Sequence, residues 1–152
     1  RARIHFRLFD DGSEILTIVM EKHAGILRFH RWKRVPPDLR EREASLPEDV
    51  PAARFYDLGD GHIASVSEKI QGRRPTAHDK QAVLGTAARL AEREGFLPDV
   101  NAGNFLIDST GKVFYVDGDY LDHHLSPEQV FAHDHPTMGL AARLRNYEES
   151  SA

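Results

Sequence analysis

Leu97-Pro98-Asp99-Val100-Asn101-Ala102-Gly103-Asn104-Phe105-Leu106-Ile107, followed closely by Val113-Phe114-Tyr115-Val116-Asp117-Gly118-Asp119, is the stretch that organises the rest of the chain. Its apolar runs, 105–107 and 113–116, flank Asp108-Ser109-Thr110-Gly111 and predict a hairpin. A hairpin returns its two ends to one place, so Asn104 and Asp117 become neighbours. An amide oxygen and a carboxylate suit Mg2+, a hard cation that keeps several waters and binds substrate phosphates. Asp99, in the loop before Asn104, is a second carboxylate able to take a proton from an attacking hydroxyl. Taken singly, Asp and Asn in a Gly-rich loop are ordinary turn formers; the set of three is what points to chemistry.

Working outward, residues 79–94 place Val83, Leu84, Ala87, Ala88, Leu90 and Ala91 at helical spacing, and Gly95 ends that helix. Gly72-Arg73-Arg74-Pro75 marks a change of composition and reads as a surface turn. Before it the chain is β-rich. Alternation and β-branched runs predict strands over 4–9, 14–22 and 26–32, a three-stranded meander. Asp38 then N-caps a short helix that runs to Leu46, anchored only by Leu39 and Leu46, and Pro47 stops it. Strands over 53–58 and 62–68 flank Gly59-Asp60-Gly61, the strongest hairpin signal in the sequence. Past Pro127 two short helices are expected, with Leu140, Leu144 and Tyr147 facing inward.

Asp-x-x-x-x-Asn, an apolar hairpin and then Asp resembles the catalytic loop and metal-binding Asp of the protein-kinase-like superfamily. Asp-Val-Asn-Ala-Gly-Asn-Phe-Leu-Ile is closest in flavour to aminoglycoside phosphotransferases and to minimal secreted bacterial effector kinases. The resemblance implies an α+β chain with a minimal protein-kinase-like fold. A small antiparallel sheet with one helix forms an N-lobe over 1–70, and a truncated, mainly helical C-lobe spans 71–152. It also implies an ATP- and Mg2+-dependent phosphotransferase acting on a hydroxyl of a protein or small molecule. Asp99 would be the base, with Asn104 and Asp117 holding the metal. Glu68-Lys69-Ile70 would be the hinge that contacts adenine through its backbone. The phosphate-gripping cation would be Arg28 or Lys22, and its helix partner Glu41 or Glu43. The same resemblance allows a pseudokinase that docks a protein partner, and two locations, the cytoplasm or a host cell into which the protein is secreted. Leu97-Pro98 stands where His-Arg is usual, Asp117-Gly118-Asp119 replaces Asp-Phe-Gly, and no Gly-x-Gly-x-x-Gly loop is present. Asp119 reads as a second metal ligand or a solvated loop carboxylate.

Composition narrows the partners. The 152 residues carry 20 Lys and Arg against 24 Asp and Glu, a net charge of −4, which gives no basic excess to draw in nucleic acid. No run reaches the ~18 apolar residues of a spanning helix, so no membrane partner is expected. Cysteine is absent, which removes thiolate chemistry. A rival metal site, for a hydrolase, is offered by Asp122-His123-His124 and His133-Asp134-His135, although neither has the i, i+4 helical spacing of zinc sites.

Overall fold

The computed structural model describes residues 1–9, 12–33, 35–123 and 147–151. The chain is mixed α+β and divides into two compact units, Arg1–Lys69 and Ile70–Ala152.

In the first unit the alternating segments become β1 (Ala2–Leu8), β2 (Glu14–Met20) and β3 (Gly25–Arg31). Next come α1 (Leu39–Ala44), β4 (Ala53–Gly59) and β5 (His62–Glu68). The sheet is antiparallel, in the order β1-β2-β3-β5-β4. Its tightest turn is Gly59-Asp60-Gly61, with φ of +88°, +54° and +79°, a region open to Gly and tolerated by Asp. Gly61 is also confined by packing. Its carbonyl accepts from the Trp32 N–H at 2.7 Å, and a Cβ there would sit 2.5 Å from the Trp32 carbonyl oxygen.

Register places Ile15, Arg28, His30, Phe55, Ile63, Ser65 and Ser67 on one face of this sheet, and all seven are buried. Arg28 Nη1 donates to Ser67 Oγ at 2.6 Å, and the His30 ring bonds Ser65 Oγ at 2.7 Å. The rings of His30, Trp32 and Phe55 pack together, with the Arg42 guanidinium over Trp32 at 5.5 Å and over Phe55 at 5.8 Å. The opposite face bears two apolar rows, Ile4-Ile18-Leu27-Val66 and Phe6-Leu16-Phe29-Ala64-Tyr56.

Asp38 caps α1 as expected, its carboxylate accepting from the Arg40 and Glu41 N–H groups at 3.0 and 3.1 Å. The helix stops at Ala44 instead of Leu46, and none of its residues is buried. Two apolar side chains seven apart make no continuous stripe to carry it further.

In the second unit, residues 72–75 are not a simple surface turn. β6 (Gly72–Arg73) pairs with β7 (Phe105–Asp108), which pairs with β8 (Val113–Tyr115). A Cβ on Gly72 would lie 2.5 Å from the Ile107 carbonyl oxygen, so glycine is what lets these strands approach. Arg73 grips Asp79 with both guanidinium nitrogens, at 2.8 and 3.1 Å, and Asp79 also accepts from the Thr76 N–H at 2.8 Å. These bonds hold 77–79 as a 3-10 turn, and α2 (Lys80–Glu94) begins one residue later than expected. It buries Val83, Thr86, Ala87, Leu90 and Ala91, and Gly95 closes it in the left-handed conformation. Among the described residues this unit is one long helix and a three-stranded sheet, of which β6 is the strand not expected from the sequence. Tyr147 is buried, its hydroxyl donating to the Thr76 carbonyl at 2.5 Å. Leu140 and Leu144 lie outside the described residues.

Candidate active site

The loop from Asp99 to Asn104 is held largely by backbone. The Asn104 carbonyl accepts from the Val116 N–H at 2.8 Å, which extends the β7–β8 pairing past the strand ends. Asn104 therefore lies opposite Val116, the residue preceding Asp117. The Asn104 amide nitrogen donates to the Asp99 carbonyl at 3.0 Å. This fixes the amide, leaving Oδ1 as the atom that can accept a cation. Asp99 is tied through its main chain only: its carbonyl also accepts from the Asn101 N–H at 2.8 Å, and its N–H donates to the Tyr115 hydroxyl at 3.3 Å. Among the described residues nothing engages the Asp99 carboxylate, which is half-buried. Asn101 is a turn former, its side chain accepting from the Gly103 N–H at 2.8 Å.

Asp117 begins a 3-10 turn (Gly118–Tyr120), its carboxylate accepting from the Asp119 N–H at 3.3 Å. Asp119 is half-buried and accepts from the Tyr115 hydroxyl at 2.8 Å, so it is not a solvated loop carboxylate. Burial, then the charges of Asp119 and Asp117, push the Tyr115 phenol far above its ordinary range. Tyr115 thus remains a neutral donor at every working pH, joining the Asp99 backbone to Asp119. Sequence reading gave Tyr115 no role, although alternation puts it on the same side of its strand as Asp117. A second brace comes from Ser150, whose hydroxyl accepts from the Ala102 N–H at 2.9 Å. Nothing in a local motif signals a contact that distant in sequence.

The remaining candidates belong to other segments. Arg28 is buried and bonded to Ser67, whereas Lys22 is exposed in the turn after β2. Neither Glu41 nor Glu43 is brought onto Arg28. Glu41 is exposed, and Glu43 Oε1 accepts from the Phe55 N–H at 2.6 Å and from Arg40 at 2.8 Å, pinning α1 to β4. Burial raises the Glu43 pKa, but those two bonds outweigh it and the net shift is downward. At the expected hinge the Glu68 N–H donates to the Ala52 carbonyl and the Lys69 N–H to the Ala24 carbonyl, both at 2.8 Å, while Ile70 is half-buried. Arg73, in the segment expected to be a surface turn, is occupied by Asp79.

The donor set Asn104 Oδ1 and Asp117 carboxylate fits Mg2+, which needs few protein oxygens. It does not fit Zn2+, and no group of three His, Asp or Glu side chains suited to a metal occurs among the described residues. Asp122 is buried and His123 packs edge-on against Phe96 at 5.1 Å, while the other members of the histidine constellation, His124, His133, Asp134 and His135, lie outside the described residues. No protein-family model matches the chain, and no curated protein matches it.

Proposed function

We propose that this chain is a minimal kinase-like phosphotransferase that moves the γ-phosphoryl group of ATP onto a hydroxyl of a protein or small molecule. The observation that carries the reading is the pair of hydrogen bonds from Asn104 Nδ2 to the Asp99 carbonyl and from the Val116 N–H to the Asn104 carbonyl. Through them one loop and one hairpin gather a carboxylate base, an amide oxygen and a second carboxylate. The order of elements supports it: five antiparallel strands with a helix between the third and fourth, then a long helix and a hairpin, is that of the protein-kinase-like superfamily.

In this mechanism Asp99 accepts the proton of the acceptor hydroxyl as its oxygen bonds to the γ-phosphorus. The bond from that phosphorus to the β–γ bridging oxygen breaks, ADP leaves, and Asp99 passes the proton to water. Asn104 and Asp117 would hold Mg2+, which supplies charge neutralisation on the phosphate oxygens. Tyr115 and Asn104 keep the Asp99 loop in place.

A second reading, a pseudokinase that acts by docking a partner, is favoured by the engaged Glu68 and Lys69 N–H groups, which are thereby withheld from adenine. ATP consumption by the purified chain, with and without Mg2+, separates the two. The enzyme reading expects Mg2+-dependent turnover that falls ~10²-fold in Asp99→Asn. It also expects Mg2+-ATP at a hundredfold excess over Kd to stabilise the fold by ~2.7 kcal/mol, an increment lost in Asp117→Asn. Wild-type turnover in Asp99→Asn, or stabilisation by Zn2+ alone with none by Mg2+-ATP, overturns it.

A further inference from the structure

The second face of the five-stranded sheet is apolar and open. Ile4, Phe6, Leu8, Met20, Phe29, Tyr56 and Val66 are exposed by 41 to 67%, and strand register assigns all seven to this one face. At about half exposure and ~200 Å² per large side chain, these seven present roughly 700 Å², before the half-buried Leu16, Ile18 and Leu27 are added. That exceeds the ~300–600 Å² of the largest apolar patch on a typical monomer and approaches the ~800 Å² that each partner buries in a standard interface. Tyr56 and the Phe side chains are the aromatic types that anchor interfaces.

We infer that this face is covered by the same face of a second copy of this chain, two sheets stacked ~10 Å apart as in a sandwich. Charge supports a second copy over other occupants. Among the described residues the charges within the face are Glu14 and Arg31, which approach each other at 3.9 Å, and Arg54 and Glu68 at its margin. The face is therefore nearly neutral and meets its own image without repulsion. Charge also selects stacking over edge-to-edge pairing. β1 is an edge strand that is exposed along its whole length, and its other side carries Arg3, His5 and Arg7. Antiparallel β1–β1 pairing centred on His5 would set Arg3 directly opposite Arg7, like charge on like charge. Stacking leaves that cationic side pointing away from the interface.

Sedimentation equilibrium over a range of concentrations tests the inference. The expected mass is twice 17.2 kDa at high concentration, giving way to 17.2 kDa on dilution. Phe6→Asp and Ile4→Asp each bring a carboxylate into the apolar contact and are expected to raise the dissociation constant ~10²-fold or more, with an unchanged circular dichroism spectrum. Arg3→Glu, on the opposite side of β1, is expected to leave the dimer intact. A wild-type mass of 17.2 kDa at every concentration overturns the inference, as does a dimer that survives Phe6→Asp but not Arg3→Glu, or a monomer that binds vesicles of anionic lipid through Phe6.

Discussion

Replacing Tyr115 by Phe removes one oxygen atom from a fully buried ring and tests whether that hydroxyl holds the candidate site together. Two hydrogen bonds are lost: the 2.8 Å donation to the Asp119 carboxylate and the 3.3 Å acceptance from the Asp99 N–H. A bond to a charged acceptor contributes ~1.5–3 kcal/mol, and the longer bond adds little. The ring keeps its packing against Phe96 and Phe105, at centroid distances of 5.7 and 5.2 Å, so no cavity term enters. A loss of ~2 kcal/mol lowers the melting temperature of a chain this size by ~4–8 °C. Because Asp99 loses a backbone anchor, turnover is expected to fall ~10-fold while stabilisation by Mg2+-ATP is retained. Differential scanning calorimetry and ATP consumption read the two effects. A melting temperature within about 1 °C of wild type would refute the bracing role, whatever happened to turnover.

Two further perturbations probe the scaffold. Gly61→Ala places a Cβ against the Trp32 carbonyl oxygen at a φ of +79°, and is expected to cost ~2 kcal/mol or more in a urea melt; an unchanged midpoint would show that the hairpin relaxes freely. The Asp79 carboxyl is held well below its usual range, first by the Arg73 guanidinium and then by the Thr76 N–H. Its folded pKa is depressed, so its stabilisation is complete above the unfolded value of ~3.9 and is lost as pH falls below it. Melting temperatures of wild type and Asp79→Asn should therefore differ most above about pH 5 and converge from about pH 4 downward. A gap that is constant with pH would remove the ion pair from the explanation.

The strands of the first unit were legible because each is seven residues of alternating or β-branched character bounded by turn chemistry. β6 was not: two residues hold no period, and what makes Gly72 a strand residue is the closeness of the Ile107 carbonyl, a tertiary fact. Thr86 hid on the buried side of α2 for a related reason, since a hydroxyl paired with Arg89 can sit where the pattern asks for an apolar side chain. At the candidate site the approach of Asn104 to the residue before Asp117 could be read from spacing, because a hairpin converts sequence separation into proximity. Tyr115 could not, because its importance lies in two partners, Asp99 and Asp119, that spacing does not single out. Glu43 shows the limit of carrying a pattern across: the sequence offers it as a partner for a phosphate-gripping cation, and the main chain of β4 takes it first.

The two buried polar pairs across β3 and β5 bear on how this sheet avoids assembling wrongly. Arg28 stands opposite Ser65 but bonds Ser67, and His30 stands opposite Ile63 but bonds Ser65, the same two-residue diagonal in each case. A slip of β3 by one residue would turn that strand inside out, driving Phe29 inward and Arg28 outward. A slip of two keeps the faces, and apolar rows such as Leu27-Val66 and Phe29-Ala64 would accept it at small cost. The serines would not: sliding β5 until Arg28 meets Ser65 brings Ile63 under the His30 ring, which then has no hydroxyl to bond. The polar pairs therefore act as unequal teeth that mesh in one position, letting a strongly apolar sheet settle on a single register during folding.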